Sequence, residues 1–174
     1  FELTAMTRAD AQEVESPRFR WAIEAYAEHQ WRVQRSETPE EDLTLITARE
    51  TCRRSGYALA GPEARAVFAE APARALLRSA EAELAWWVEQ DPLPQLRTPV
   101  LNACRAWRLA DEGGLASKLE GGAWARLRID RPAWLDIVDR AAEGGPARPG
   151  DAATAREFLQ SVLYVLDRRL RGQA

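Results

Sequence analysis

The sequence predicts a mainly α-helical protein, in which a C-terminal bundle of about five helices is preceded by one strand and further helices. Apolar residues recur at helical spacing in five segments after Pro72. Turns rich in glycine, proline and aspartate separate these segments. The chain has 174 residues, of which 46% are hydrophobic, so it can bury a core in one or two domains.

The first seven residues alternate as in a strand. Because one strand alone lacks partners for its ladder hydrogen bonds, we expect the chain to be the later part of something larger. A helix is predicted through residues 19–31, and another from about 39 to 54, with Leu43, Ile46 and Cys52 on its buried face.

The bundle helices follow in order. The first, residues 72–90, carries a stripe of Leu76, Leu77, Ala80, Leu84, Trp87 and Val88. The second begins near Pro99, the third follows Ser117, and the fourth begins at Pro132. The fifth covers residues 151–171, with Asp151 as its cap. Helices joined by short loops favour an up-and-down bundle.

Composition excludes several classes of function. A net charge of −3 argues against non-specific nucleic-acid binding and suits a cationic small molecule. No apolar run is long enough to span a membrane. Cys52 and Cys104 lack metal-ligand spacing, so both are predicted to be buried free thiols of a cytoplasmic protein. The one histidine, His29, has no catalytic motif beside it.

Lys118 is the only lysine among 24 basic residues. Ser117 and Glu120 fit a capping box, which places Lys118 in the first turn of a helix, where the dipole disfavours a cation. A bound phosphate would reverse that cost. Arg105 can approach Lys118 across the turn between two helices, and two neighbouring cations favour an anion between them. Chance placement and surface solvation are the alternatives.

Trp86 points away from the apolar stripe of its helix. It therefore covers another element or contacts a ligand. Asp91 follows it at a loop entrance, before Pro92. An aromatic face beside a carboxylate is a suitable receptor for a polar cation.

Several of these segments resemble the C-terminal helical domain of the streptomycin/spectinomycin adenylyltransferases. They are residues 61–68, 101–107, 117–118 and 123–125. The resemblance extends from residue 1 to about 142 and is strongest between 61 and 128. It implies that residues 1–60 are the terminal part of a truncated α/β nucleotidyltransferase domain with connecting helices. Residues 61–174 would be a helical bundle that contacts substrate and ATP.

The resemblance also implies roles for particular residues. Glu2, in the strand pattern Phe-Glu-Leu-Thr, is similar to the catalytic carboxylate that also binds Mg²⁺. Arg105 and Lys118 resemble the residues that bind the triphosphate of ATP. Trp86 and Asp91 resemble the pair that contacts the aminoglycoside. In this family, a substrate hydroxyl attacks the α-phosphorus of ATP and pyrophosphate leaves.

Two departures concern substrate contacts. The family's acid before the 101–107 helix is replaced by Gln95-Leu96-Arg97-Thr98, and its Gly-Glu-Trp is replaced by Ala27-Glu28-His29. The family's Asp-x-Asp pair is absent from the sequence. We therefore expect this chain alone to be inactive. We also expect the intact enzyme to be a monomer. The alternative is a non-catalytic helical binding module that has lost its catalytic half.

Overall fold

The computed structural model describes residues 2–15, 17–25, 31–90, 93 and 95–172. Among these, the side chains of residue 2 and of residues 21–25 and 31–40 are outside the description. The chain divides into two compact units, Phe1–Ser79 and Ala80–Ala174. The predicted functional boundary after residue 60 remains a prediction.

The first unit combines a small antiparallel sheet with short helices. In chain order it contains β1 (Glu2–Ala5), α1 (Arg8–Gln12), β2 (Arg18–Ala25), β3 (Trp31–Glu41), α2 (Leu45–Ser55), α3 (Ala64–Val67) and the start of α4 (Ala73–Glu89). The strand order is β1-β2-β3. Leu3 lies opposite Ile23, and Trp21 lies opposite Arg35.

The prediction of a helix through residues 19–31 is wrong, because β2 and the start of β3 lie there. Phe19, Trp21 and Ile23 alternate with other residues at the period of a strand, and aromatic and β-branched side chains favour strands. The expectation of a single strand without a partner is therefore wrong, because β1 pairs with β2. The predicted strand at the start of the chain is confirmed.

α2 begins at Leu45, six residues later than predicted, because β3 continues to Glu41. Ile46 is buried as predicted, but Cys52 is exposed. The buried positions of α2 repeat as pairs one turn apart, and Cys52 falls off that face. The prediction of two buried thiols is thus correct only for Cys104, whose burial raises its pKa to about 12.

The second unit is the predicted helical bundle. It contains the rest of α4, then α5 (Arg97–Glu112), α6 (Lys118–Arg126), α7 (Pro132–Glu143) and α8 (Asp151–Leu170). α5 packs against α6, α7 and α8 and is the centre of the unit. Its inner face is fully buried at Val100, Leu101, Ala103 and Cys104. For the described residues, the predictions of a mainly helical fold and of about five helices after Pro72 are confirmed.

An ion pair joins the end of α7 to the start of α8. Arg140 donates two hydrogen bonds to Asp151, at 2.5 and 2.6 Å, and both residues are buried. Asp151 was predicted to cap α8, but Gly150 occupies the cap position with a left-handed backbone (φ 89°). The carboxylate of Asp151 is already engaged by Arg140 and by the backbone N–H of Arg148.

Among the described helices, none has both the length and the apolar character needed to cross a membrane.

Candidate functional site

The turn between α5 and α6 has the predicted capping geometry. Gly113 ends α5 with a left-handed backbone (φ 77°), which glycine adopts without steric cost. The hydroxyl of Ser117 accepts a bond from the N–H of Glu120 at 3.2 Å, and Glu120 Oε2 accepts from the N–H of Ser117 at 2.8 Å. Both halves of the capping box are present. Lys118 is therefore the first residue of α6.

Two glycines bring α6 very close to α5. A Cβ added to Gly121 would lie 2.9 Å from the backbone nitrogen of Arg105 and 2.8 Å from its Cγ. A Cβ added to Gly122 would lie 3.1 Å from Leu101. The backbone of α6 therefore crosses α5 at Arg105, one turn after Lys118. This contact places the first turn of α6, which contains Lys118, beside Arg105 on α5.

The guanidinium of Arg105 has a loose counter-ion. Its Nη2 lies 3.8 Å from Glu83 Oε2, and both side chains are about a quarter exposed. The Nε of Arg105 is buried and has no hydrogen-bond partner among the described residues. A buried donor without a partner costs about 1–3 kcal/mol. Arg105 thus retains donor capacity that an anion could use.

Trp86 lies on the solvent side of α4, as its position in the helical pattern predicts. Its side chain is 51% exposed, whereas that of Trp87 is 8% exposed. The two rings meet edge to face, with centroids 4.7 Å apart. The buried ring of Trp87 supports one side of the Trp86 indole, and the exposed part of that indole is available to a ligand. Asp91, its predicted partner, is outside the described residues.

Glu2 is described only in its backbone, which pairs with Glu24 in the β1–β2 ladder. Its predicted role therefore remains a prediction. His29 and the segment that replaces the family's Gly-Glu-Trp are outside the described residues. Within the described part of the chain, no three His, Cys, Asp or Glu side chains are grouped as a metal site would require.

The sequence reasoning missed the polar pair beside Arg105. Asn102 is 3% exposed, and its side-chain amide donates to Glu83 Oε1. A signal was present, because Asn102 is the one polar residue in the apolar run Val-Leu-Asn-Ala-Cys. No local pattern could have shown Glu83, which reaches α5 from another helix.

A second missed cluster surrounds Glu112 at the end of α5. Glu112 accepts hydrogen bonds from Trp124 Nε1 and from Arg108 Nε. Both bonds lower the pKa of Glu112, and the bond from Trp124 has the larger effect. Arg128 lies 4.0 Å above the Trp124 ring. The cluster ties α5 to α6 on the far side of the turn and has the character of a structural support.

Comparison with known proteins bears mainly on the second unit. Residues 66–145 match the family model described as aminoglycoside adenylyltransferase, C-terminal domain. The resemblance predicted from the sequence is therefore confirmed. The matched segment includes Trp86, Arg105 and Lys118. No curated protein matches the chain in sequence.

The fold is similar to that of a solved structure, spectinomycin adenyltransferase AAD(9) from Enterococcus faecialis with ATP and spectinomycin. The TM-score is 0.78 at 12% sequence identity, and the likeness covers 95% of this chain and 68% of that one. At this identity the likeness establishes the fold. The adenylyltransferase match and this fold together relate the chain to the aminoglycoside adenylyltransferases.

Proposed function

We propose that this chain is part of an aminoglycoside-type nucleotidyltransferase, which transfers AMP from Mg-ATP to a hydroxyl of an aminocyclitol or aminoglycoside antibiotic. The observation that carries the proposal is the crossing of α5 and α6 at Arg105 and Gly121, one turn from Lys118. It lies inside the segment that matches the adenylyltransferase domain. The similar AAD(9) structure was solved with ATP and spectinomycin.

Arg105 and Lys118 are proposed to hold the phosphates of ATP. A guanidinium and an ammonium carry donors and no acceptors, which suits phosphate oxygens. The Nε of Arg105, which is buried and has no partner in the part of the chain that the structure describes, fits a group that gains bonds when an anion arrives. Lys118 adds a compact charge at a helix start, where backbone N–H groups also favour an anion. The donors present therefore fit the triphosphate.

Trp86 and Asp91 are proposed to receive the antibiotic. The exposed indole offers a π face to a protonated amine or guanidinium, and a carboxylate nearby would add an ion pair. This assignment is consistent with the acidic balance of the chain, which has a net charge of −3.

Glu2 is proposed as the base that takes the proton from the attacking hydroxyl. As the hydroxyl bonds to the α-phosphorus, the bond to the β-phosphate oxygen breaks, and cations at the β- and γ-phosphates stabilise the departing pyrophosphate. The described residues do not fit a complete Mg²⁺ site, because they bring no group of three ligands together. Metal coordination would need carboxylates such as the family's Asp-x-Asp pair, which this sequence lacks.

The experiment is an assay of pyrophosphate release with Mg-ATP and either streptomycin or spectinomycin. It compares the 174-residue chain with the product of the complete reading frame. We expect drug-dependent release from the complete product and none from the chain alone. Drug binding without any release by the complete product would favour the non-catalytic binding module instead. Release by the chain alone would show that the second half of the site is not needed.

A further inference from the structure

Glu83 and Asn102 form a polar pair beside Arg105 that the proposed chemistry leaves unused. Asn102 and Arg105 are three residues apart on α5 and share a face of the helix. Glu83 reaches both from α4. One of its carboxylate oxygens accepts a hydrogen bond from the buried Asn102 amide, and the other lies 3.8 Å from Arg105 Nη2.

The pairing of Glu83 with Arg105 is incomplete. A separation of 3.8 Å allows electrostatic attraction but exceeds a hydrogen-bond distance. A carboxylate that saturates a guanidinium accepts two parallel bonds, as Asp151 does from Arg140. Asn102 holds one oxygen of Glu83 and so prevents that arrangement. Glu83 therefore neutralises Arg105 but does not satisfy its hydrogen-bond donors.

We infer that Glu83 is a resident counter-ion of Arg105 that competes with phosphate for it. The inference rests on the proposed phosphate-binding role of Arg105. A polyphosphate carries more charge than one carboxylate and offers more acceptor oxygens, so it can draw the guanidinium away. Asn102 keeps Glu83 in place when Arg105 turns. The carboxylate then opposes every bound anion by repulsion, which only a highly charged ligand overcomes.

The test is a calorimetric titration of the 174-residue chain with inorganic tripolyphosphate at low salt. Glu83→Gln removes the charge and keeps an oxygen that can accept the Asn102 amide bond. We expect it to bind tripolyphosphate about two- to fivefold more tightly, the range of a partly exposed ion pair. Glu83→Ala is the second variant, and the same gain is expected. The matched control is Glu81→Gln, the same charge change on the same helix, which should leave affinity unchanged.

Arg105→Gln separates the inference from the proposed function. Arg105→Gln alone should weaken tripolyphosphate binding, and Glu83→Gln added to the Arg105→Gln variant should give no gain. If Arg105→Gln weakens binding but neither Glu83 variant tightens it, the counter-ion role is wrong and the phosphate site stands. If Arg105→Gln has no effect, the phosphate role of Arg105 itself is wrong. Equal gains from Glu83→Gln and Glu81→Gln would indicate a general charge effect and also overturn the inference.

Discussion

At the scale of single residues, the chemistry of the second unit depends on which basic side chains are already engaged. Arg140 is saturated by the buried Asp151 and the more exposed Asp136, whereas Arg105 has one loose counter-ion and a buried donor with no partner among the described residues. Lys118 stands in the first turn of α6. We propose Arg105 as a phosphate-binding residue because a saturated guanidinium such as that of Arg140 has little left to offer a ligand. We propose Lys118 because it begins α6, where backbone N–H groups also favour an anion.

Lys118→Arg tests whether a compact ammonium is needed at the start of α6. The charge is kept, but the planar guanidinium cannot occupy the same space or direct its donors in the same way. We expect ATP affinity to fall about tenfold, or about 1.4 kcal/mol, with thermal stability unchanged. Calorimetry and a melting curve measure the two quantities. A parallel loss of affinity and stability would mean that Lys118 is structural.

Trp86→Ala tests the proposed receptor for the antibiotic. A cation over an indole contributes about 1 kcal/mol, so the affinity for streptomycin or spectinomycin should fall roughly fivefold. Folding should tolerate the change, because half of the indole is already exposed. Tyr164→Ala is the matched control, since that aromatic side chain is also exposed and lies on α8. Equal effects of the two substitutions would contradict a specific role for Trp86.

The sequence allowed prediction of some residues and not of others. Trp86 could be placed on the outer face because helical periodicity alone decides it, and the exposed indole agrees. Glu83 could not be linked to Arg105, since their contact joins two helices that periodicity does not orient. Cys52 was misplaced because the buried face of α2 was assigned from too few apolar positions.

At the scale of elements too, local patterns could be predicted from the sequence and contacts between distant segments could not. Ser117 and Glu120 predicted the start of α6 correctly, because a capping box is a local hydrogen-bond pattern. β2 was missed because a short apolar run fits either a helix or a strand, and its pairing with β1 is a longer-range fact. The close approach at Gly121 was also invisible in the sequence, although it sets the geometry of the α5–α6 pair.

Gly121→Ala tests that close approach. Alanine favours a helix by about 1 kcal/mol relative to glycine, which alone would stabilise α6. The added Cβ would lie 2.9 Å from the backbone nitrogen of Arg105, and a backbone atom cannot move aside easily. We expect the steric clash to outweigh the gain in helix propensity, so that the free energy of unfolding falls by about 1–3 kcal/mol.

Urea denaturation measures the effect of Gly121→Ala, and the control is Gly114→Ala, where an added Cβ meets nothing within 4 Å. The control should change stability by less than about 0.5 kcal/mol. A stabilised Gly121→Ala variant would show that α6 can move away from α5 at no cost. The proposed packing of Arg105 against α6 would then be wrong.

The Arg140–Asp151 ion pair should make the bundle sensitive to acid. Hydrogen bonds from Arg140 are the main cause of the lowered pKa of Asp151, whose ordinary value is 3.8. Because the pKa of Asp151 is lower in the folded protein than in the unfolded chain, the ion pair contributes its full stabilisation of the fold above the unfolded pKa. It is lost as the pH falls through the lower folded value. Asp151→Asn leaves a buried guanidinium partly unpaired, so we expect a loss of about 3 kcal/mol at pH 7.

Denaturation of the wild type and of Asp151→Asn at several pH values between pH 7 and pH 2 measures the difference in their free energies of unfolding. The stability difference should shrink as the pH falls below the ordinary pKa of 3.8, because the unfolded carboxylate then takes up a proton while the folded one stays ionised to lower pH. Asp136→Asn is the control, because Asp136 also bonds Arg140 but is 54% exposed. It should cost less than about 1 kcal/mol. A stability difference that stays constant across this pH range would contradict the account.

At the scale of the whole molecule, most of the matched family segment and both predicted phosphate residues belong to the second unit. Residues 66–145 carry the adenylyltransferase match, and Arg105 and Lys118 lie inside it. Glu2 belongs to the first unit, and its role depends on the resemblance of one strand. The mainly helical architecture was predictable from periodicity, whereas the three-stranded sheet was not. The helical unit should therefore recognise nucleotide phosphates by itself.

The most direct measurement is a calorimetric comparison of ATP and AMP binding to the 174-residue chain, in the wild type and in Arg105→Gln. If Arg105 and Lys118 hold the outer phosphates, the wild type should bind ATP at least tenfold more tightly than AMP. Arg105→Gln should lose most of that preference while its AMP affinity stays unchanged. Equal affinities for ATP and AMP in the wild type, or a preference that survives in Arg105→Gln, would contradict the account.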